Sequence, residues 1–267
     1  MSLSNNVWEK VRLLNRIPGA HQTYKMGTRV IYRNGKLVHI RRGPAAGLRW
    51  RHYSCFQPWM AMGLYEPHVA TLITQMLKPG HVFYDIGANA GYFTLIGAKA
   101  VGKDGKVVAF DPNPVNTNAI NSQLHLNGFA ETSKVERLAI SGENGTAGFV
   151  ITDVNANAHL CDLAAPHLSN KGESIAVQTV TLDNYVRTNP LPHLIKMDIE
   201  GAEVAALKGA RSLLGNATPP VLLVSTHGDE LDRQCKEILG QFNYTFANLT
   251  GFEQMIVAIP STPLSTC

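Results

Sequence analysis

The 267-residue sequence predicts an α/β protein of the doubly wound class, with a seven-stranded, mostly parallel sheet covered by helices, and three observations carry that expectation. Short, nearly continuous apolar strands alternate with helical stretches after residue 80, as in a sheet buried on both faces. A Gly-rich turn, Asp85-Ile86-Gly87-Ala88-Asn89-Ala90-Gly91, joins the first of these strands to a helix, where open α/β sheets bind their ligands. The composition, 45% hydrophobic and 16% charged, belongs to a folded chain and not to a disordered one.

Taken in order, the chain divides into a basic N-terminal extension or cap over 1–64, a main domain over 65–260 and a flexible tail over 261–267. In the extension, Val7, Val11 and Leu14 recur at helical spacing, which predicts a short amphipathic helix over Trp8–Leu14 ended by Pro18-Gly19. Thr28–Tyr32 and Leu37–Arg41 flank Asn34-Gly35, a hairpin signal, so a β-hairpin is expected ahead of the main domain. Pro67 opens a helix whose Val69, Leu72, Ile73, Met76 and Leu77 form one apolar stripe, and Lys78-Pro79-Gly80 closes it.

Strands are then expected at Val82–Ile86, Val107–Phe110, Val135–Ile140, Leu194–Asp198, Val221–Ser225, Tyr244–Ala247 and Gln254–Ile259, with helices over 91–101, 114–127, 202–214 and 230–241. Between the third and fourth strands the pattern turns Gly-rich and β-like, at Thr146–Thr152 and Ile175–Val180. This predicts an antiparallel β insertion at the active-site rim, and its Asp153, Asn155, Asn157 and His159 suit either sugar binding or a solvated loop.

Several function classes are disfavoured. No apolar run is long enough to span a bilayer, and the first 22 residues lack the apolar core of a secretory signal, so a cytoplasmic enzyme is expected. Cys55, Cys161, Cys235 and Cys267 are scattered without a CxxC pair, which reads as reduced thiols and no zinc site. Residues 1–53 hold eleven Lys and Arg against Glu9 alone, a net of +10 that leaves −6 on the remainder of a chain whose total is +4. Such asymmetry suits an anionic acceptor, or else a solvated basic face. Nucleic acid is not expected, because few aromatics alternate with these cations. Nothing in the sequence specifies an oligomeric state.

In the Gly-rich turn, glycines let backbone approach a ligand closely. A nicotinamide dinucleotide fingerprint would place glycine at 89 and 92, where this chain has Asn89 and Tyr92. Asp111 ends the second strand in VVAFDPNP, where an acid accepts hydrogen bonds from ribose hydroxyls. Its structural alternative is a cap for the helix after Pro114, a role that Asn113 fits equally.

Together DIGANAGYFT, FDPNP and KMDIEGAE resemble the FkbM family of class I S-adenosylmethionine-dependent methyltransferases, over some 160 residues from Tyr65-Glu66 to His227; GPAAGLRW is similar to that family's N-terminal extension. The family usually has glutamate where this chain has Asp111. The resemblance implies a Rossmann-like fold with S-adenosyl-L-methionine as cofactor. Asp85, Gly87, Asn89 and Gly91 would surround its methionine part, Asp111 its ribose and Ala139-Ile140 its adenine edge, with Tyr92, Phe93, Pro112, Asn113 and Asp198 as further cofactor-binding residues. Glu66 would close over cofactor or acceptor, or else serve as a helix-start carboxylate.

Asp198 ends the fourth strand at the edge where reacting groups gather. Glu200 and Glu203 suit either chemistry or the positive end of the following helix. His227 follows the fifth strand, and a histidine there suits proton abstraction from a hydroxyl. With Asp229, the residues Asp198, Glu200 and His227 also form a candidate Mg2+ site, and the sequence leaves base and metal open. The expected reaction is direct O-methylation of a small molecule, sugar, glycan or natural product, with no covalent enzyme intermediate. The alternatives are a nicotinamide-dependent oxidoreductase and a non-catalytic adenosyl-ligand binder.

Overall fold

The computed structural model describes residues 34–53, 55–152, 159–161, 172–250 and 254–261. The expected helix Trp8–Leu14 and strand Thr28–Tyr32, the insertion residues Asp153, Asn155 and Asn157, and all of the tail beyond 261 lie outside the described residues. The chain forms two compact units, residues 1–71 and 72–267.

In the first unit, β1 (Leu37–His39) pairs antiparallel with β2 (Arg49–Arg51). The expected partner strand Thr28–Tyr32 lies outside the described residues; among these, Leu37–His39 pairs downstream, across a loop that turns through Gly43 (φ +66°) and Gly47 (φ +88°). Trp50 is fully buried in β2. A short helix, α1 (Pro58–Met62), stops at Gly63, whose left-handed backbone passes so close to the loop that an added Cβ would lie 2.2 Å from the Arg42 carbonyl oxygen. Helix α2 (Pro67–Met76) begins at the expected proline. Val69 and Ile73 of its stripe, and Leu77 just beyond it, are buried, whereas Leu72 and Met76 are half-buried.

The second unit starts with β3 (Val82–Ile86), α3 (Tyr92–Val101), β4 (Lys106–Phe110) and α4 (Pro114–Asn127). Burial along the whole of β3 and nearly all of β4 explains their continuous apolar reading. The single strand expected over Val135–Ile140 is corrected to two, β5 (Ser133–Glu136) and β6 (Ala139–Ile140), which join different sheets. The insertion follows as β7 (Gly145–Thr152), β8 (His159–Cys161) and β9 (Gly172–Val180), and with β6 it forms a four-stranded sheet of order β6-β9-β7-β8. Its pairings are antiparallel except for β6 with β9.

Then come α5 (Leu182–Tyr185) and β10 (Leu194–Met197). The helix expected over 202–214 is two, α6 (Glu203–Lys208) and α7 (Arg211–Leu214). They part at Gly209, which lies so near the insertion that an added Cβ would meet the Ser141 carbonyl oxygen at 2.5 Å. The remaining elements are β11 (Val221–Thr226), α8 (Asp229–Gly240), β12 (Tyr244–Thr250) and β13 (Gln254–Pro260).

The large sheet has seven strands in the order β12-β13-β11-β10-β3-β4-β5. Only β13 runs against the others. The chain enters at β3, builds outward through β4 and β5, then returns to lay β10 on the other side of β3. Strand order thus reverses between β3 and β10, and the crevice beyond their carboxyl ends is where doubly wound sheets take ligands.

Candidate active site

The turn after β3 lies at this crevice. Its Gly87 and Ala88 amides both donate to the Phe110 carbonyl oxygen, at 2.9 and 3.0 Å, tying the turn to the end of β4. Gly87 has φ +77°, and a Cβ built there would sit 1.8 Å from the Asp198 carbonyl oxygen. Only glycine lets the turn rest against the end of β10. Asn89 adopts a left-handed backbone at φ +51°, a strained state that marks functional turns, and Gly91 (φ +85°) leads into α3. Asp85 is wholly buried. Its Oδ2 accepts from the Thr94 hydroxyl at 2.6 Å, and its Oδ1 has no partner. Burial drives its pKa up, against the pull of the Lys196 ammonium. Tyr92 and Phe93 are buried in the first turn of α3.

Asp111, just past β4, accepts three hydrogen bonds: from the Asn89 amide (2.9 Å), the Asn113 amide (2.9 Å) and Asn116 Nδ2 (3.0 Å). A carboxylate offers about four lone-pair sites, so one acceptor position is left for a ligand. Burial raises its pKa to about 6, even though those three bonds act in the opposite direction. The capping role falls to Asn113, whose Oδ1 accepts from the Val115 amide at 2.9 Å and starts α4. Around Asp111, Asn89 Oδ1, Asn113 Nδ2 and Asn116 Oδ1 are buried with no hydrogen-bond partner. Such orphaned polar atoms are costly unless something supplies the missing partner. Pro112 is half-buried beside them, and Ala139 is buried in β6.

On the other side of the crevice, Asp198 follows β10. Its Oδ2 lies 3.1 Å from Lys196 Nζ and its Oδ1 3.4 Å from His227 Nε2. Burial alone would raise its pKa, but the Lys196 and His227 charges and hydrogen bonds outweigh burial and lower it to about 2. Glu200 Oε2 lies 3.5 Å from the same His227 nitrogen, and Glu200 has φ +53°. The structure therefore brings Asp198, Glu200 and His227 together, with one ligand atom of each within 4.8 Å of the others. That set, one nitrogen and two carboxylate oxygens, suits either an oriented imidazole or a hard divalent cation. Asp229 is not of this cluster; it opens α8 and accepts from Gln254 Nε2 at 3.2 Å. Glu66 lies in the first unit, at φ +36°, immediately before α2.

One residue of consequence did not emerge from the sequence, and a second emerged without its partners. Lys196 is almost wholly buried, in register with Asp85 across β10 and β3, and its ammonium stands 5.1 Å from the centre of the Phe93 ring. A lone lysine inside an apolar strand is itself a signal, since lysine is seldom buried unpaired. Glu203 is the other: its oxygens accept from the amides of Ile199 and Gly201 at 2.9 and 3.0 Å. The cradle at Gly87 and the orphaned atoms near Asp85 and Asp111 fit an adenosyl amino-acid ligand, which brings hydroxyl, amine and carboxylate partners to one crevice.

Comparison with known proteins points the same way. The family described as the methyltransferase FkbM domain matches residues 85–256. The hexuronic acid methyltransferase AglP of Haloferax volcanii is 25% identical over 151 residues, covering 56% of this chain and 58% of that protein. The match thus spans little more than half the length of this relative. Among solved structures, the chain is similar to a SAM-dependent O-methyltransferase from Thermotoga maritima, at 12% identity over 86% of each chain with a TM-score of 0.47. It is also similar to an rRNA methylase from Streptococcus thermophilus, at 14% identity over 73% of this chain and 95% of the other, with a TM-score of 0.47.

Proposed function

We propose that this chain, which belongs to the FkbM methyltransferase family, methylates a hydroxyl oxygen of a sugar, a glycan or a small natural product. The single observation that carries the reading is His227, held by two carboxylates at 3.4 and 3.5 Å at the same sheet edge as the Gly-rich turn. A hydroxyl must lose its proton to accept a methyl group, and a positioned histidine is the usual group to take it. The sugar acceptor is supported by the hexuronic acid named for the relative from Haloferax volcanii.

When bound, S-adenosylmethionine supplies a methyl group already activated on sulfur, so one in-line displacement suffices. The residues of this chain do the rest. Asp85, Gly87, Asn89 and Gly91, flanked by Tyr92 and Phe93, line the place for the amino-acid end of the cofactor, and Asp111 with Pro112 and Asn113 the place for its ribose. Ala139 would border the adenine. His227 takes the acceptor proton. Asp198 and Glu200 fix the imidazole ring and offset the charge it gains, as carboxylates do for catalytic histidines. Lys196 keeps Asp198 ionised.

His227→Ala, assayed by transfer of labelled methyl from the cofactor to a panel of hydroxylated sugars, should lower turnover about 10²- to 10⁴-fold. Cofactor binding without transfer to any member of the panel would count against the acceptor class. A second reading has a divalent cation, Mg2+ by the hardness of the donors, held by the three atoms that lie within 4.8 Å of one another and acting on the acceptor hydroxyl in place of the base. Loss of turnover in chelator with recovery on adding Mg2+ supports the cation, and chelator-insensitive turnover supports the base. The nicotinamide reading is disfavoured by Asn89 and Tyr92 at the glycine positions of its fingerprint.

A further inference from the structure

The loop between β10 and α6 holds its shape through a residue that touches none of the reacting groups. Glu203 is the first residue of α6 and is wholly buried. It turns back on the loop, accepting the Ile199 amide on Oε1 and the Gly201 amide on Oε2. Between these two amides sits Glu200, whose φ of +53° costs a side-chain-bearing residue about 1–2 kcal/mol. That conformation persists only where its surroundings impose it. The Gly201 amide lies in the peptide that follows Glu200 and the Ile199 amide in the peptide that precedes Ile199, so one carboxylate anchors the loop on both sides of Glu200, whose Oε2 lies 3.5 Å from His227 Nε2.

We infer that Glu203 is the positioning residue of the acceptor side, a clamp that sets Glu200, and through it the Asp198–Glu200–His227 cluster, in place before any substrate binds. Its worth to turnover rests on the catalytic reading above, whereas the clamp is a statement about geometry and is tested without an acceptor. Burial raises the pKa of Glu203, and hydrogen bonds from the Ile199 amide and from its own amide act in the opposite direction, as expected of a carboxylate that accepts backbone amides. An acid that merely favoured the positive end of α6 would have no need to reach residues 199 and 201.

The test follows the imidazole signals of His227 by NMR in the full chain carrying labelled histidine, with His227→Ala for assignment. Glu203→Gln keeps the volume but can accept only one of the two amides. It should move the His227 signals toward those of Glu200→Gln, and the double variant should coincide with Glu200→Gln alone. Affinity for S-adenosylhomocysteine should stay within about twofold of the wild type, because the cofactor turn is untouched. Unmoved His227 signals in Glu203→Gln, or shifts that simply add in the double variant, would overturn the clamp. If Glu203→Gln does not fold, Glu200→Gly supplies a background in which the left-handed turn is unstrained. There Glu203→Gln should fold, and a loss of folding equal to that in the parent would likewise overturn it. Failure to find an acceptor changes none of these outcomes.

Discussion

Asp111 is a carboxylate whose ionisation burial opposes and three neighbouring donors favour, and the balance leaves its pKa at about 6, above the ordinary 3.8. The sign follows from that direction. The unliganded fold gains stability from a protonated Asp111 below the ordinary value and loses that gain as pH rises through about 6. Ribose hydroxyls, by contrast, need the ionised form as acceptor. Affinity for S-adenosylhomocysteine should therefore level off above about pH 7 and be roughly tenfold weaker at pH 5 than at pH 7.5 by calorimetry. Asp198, lowered to about 2, stays ionised throughout and adds nothing to that profile. A pH-independent affinity would remove Asp111 from the ribose site. Asp111→Ala should weaken binding at neutral pH by about 100-fold, since hydrogen bonds to a charged group are worth about 1.5–3 kcal/mol each. Gly87→Ala tests the turn itself. With an added methyl 1.8 Å from the Asp198 carbonyl oxygen and φ at +77°, it should cost at least about 2 kcal/mol of folding stability, read as a lowered unfolding midpoint, and should abolish cofactor binding. A variant as stable as the parent would mean that the two strand ends do not meet as described.

At the scale of elements, the amino ends of β3 and β10 are joined by a stacked pair, His81 and His193, with ring centres 4.2 Å apart and planes 14° from parallel. His193 Nδ1 accepts the Val82 amide and His81 Nδ1 the Lys78 amide, so each ring serves through a nitrogen that must stay unprotonated. Burial, then His193 and Lys78, lower the pKa of His81 from 6.5. A depressed histidine contributes stability above its unfolded pKa and loses it as pH falls. The unfolding temperature should drop as pH is taken below 6.5, and His81→Asn should flatten that slope. An unchanged slope would assign the acid sensitivity to other groups. Elements of this kind were legible in the sequence only where one force dominated. The strand Val82–Ile86 and the helix Pro114–Asn127 have the bounds their sequences suggest, because uninterrupted burial defines the first and Asn113, Pro114 and Gly128 punctuate the second. The break within 133–140 was not legible, since nothing local tells which of two sheets a β-like residue joins. Nor was the break at Gly209, which depends on the approach of Ser141. In the site, the strand-end residues Gly87, Asp111, Asp198 and His227 were legible because sheet topology gathers them. Lys196 and the clamping contacts of Glu203 were not, because the partners, Asp85 on the adjacent strand and the amides of a bent loop, exist only once the chain is folded.

Across the whole molecule, the strand order puts both halves of the candidate site on either side of one reversal, between β3 and β10, so the residues proposed for cofactor and acceptor share a single crevice although Asp85 and His227 are far apart in sequence. Charge is distributed less evenly, with +10 on residues 1–53 and −6 on the rest. A field of that kind would draw an anionic acceptor toward the protein and speed encounter without altering the chemistry proposed at His227. Its signature is ionic. Added salt shortens the screening length from about 10 Å at 0.1 M to about 3 Å at 1 M, so kcat/KM for a hexuronate acceptor should fall over that range while kcat holds. A neutral hexose of the same shape serves as the control, because a general effect of salt on the fold or on cofactor binding lowers both alike. Arg41→Glu combined with Arg42→Glu, both exposed, should flatten the hexuronate response and leave the hexose unchanged. Equal slopes for the two acceptors would make the basic segment a solvated face, and acceptor choice would then rest on the crevice alone, where Asp198 and Glu200 flank His227.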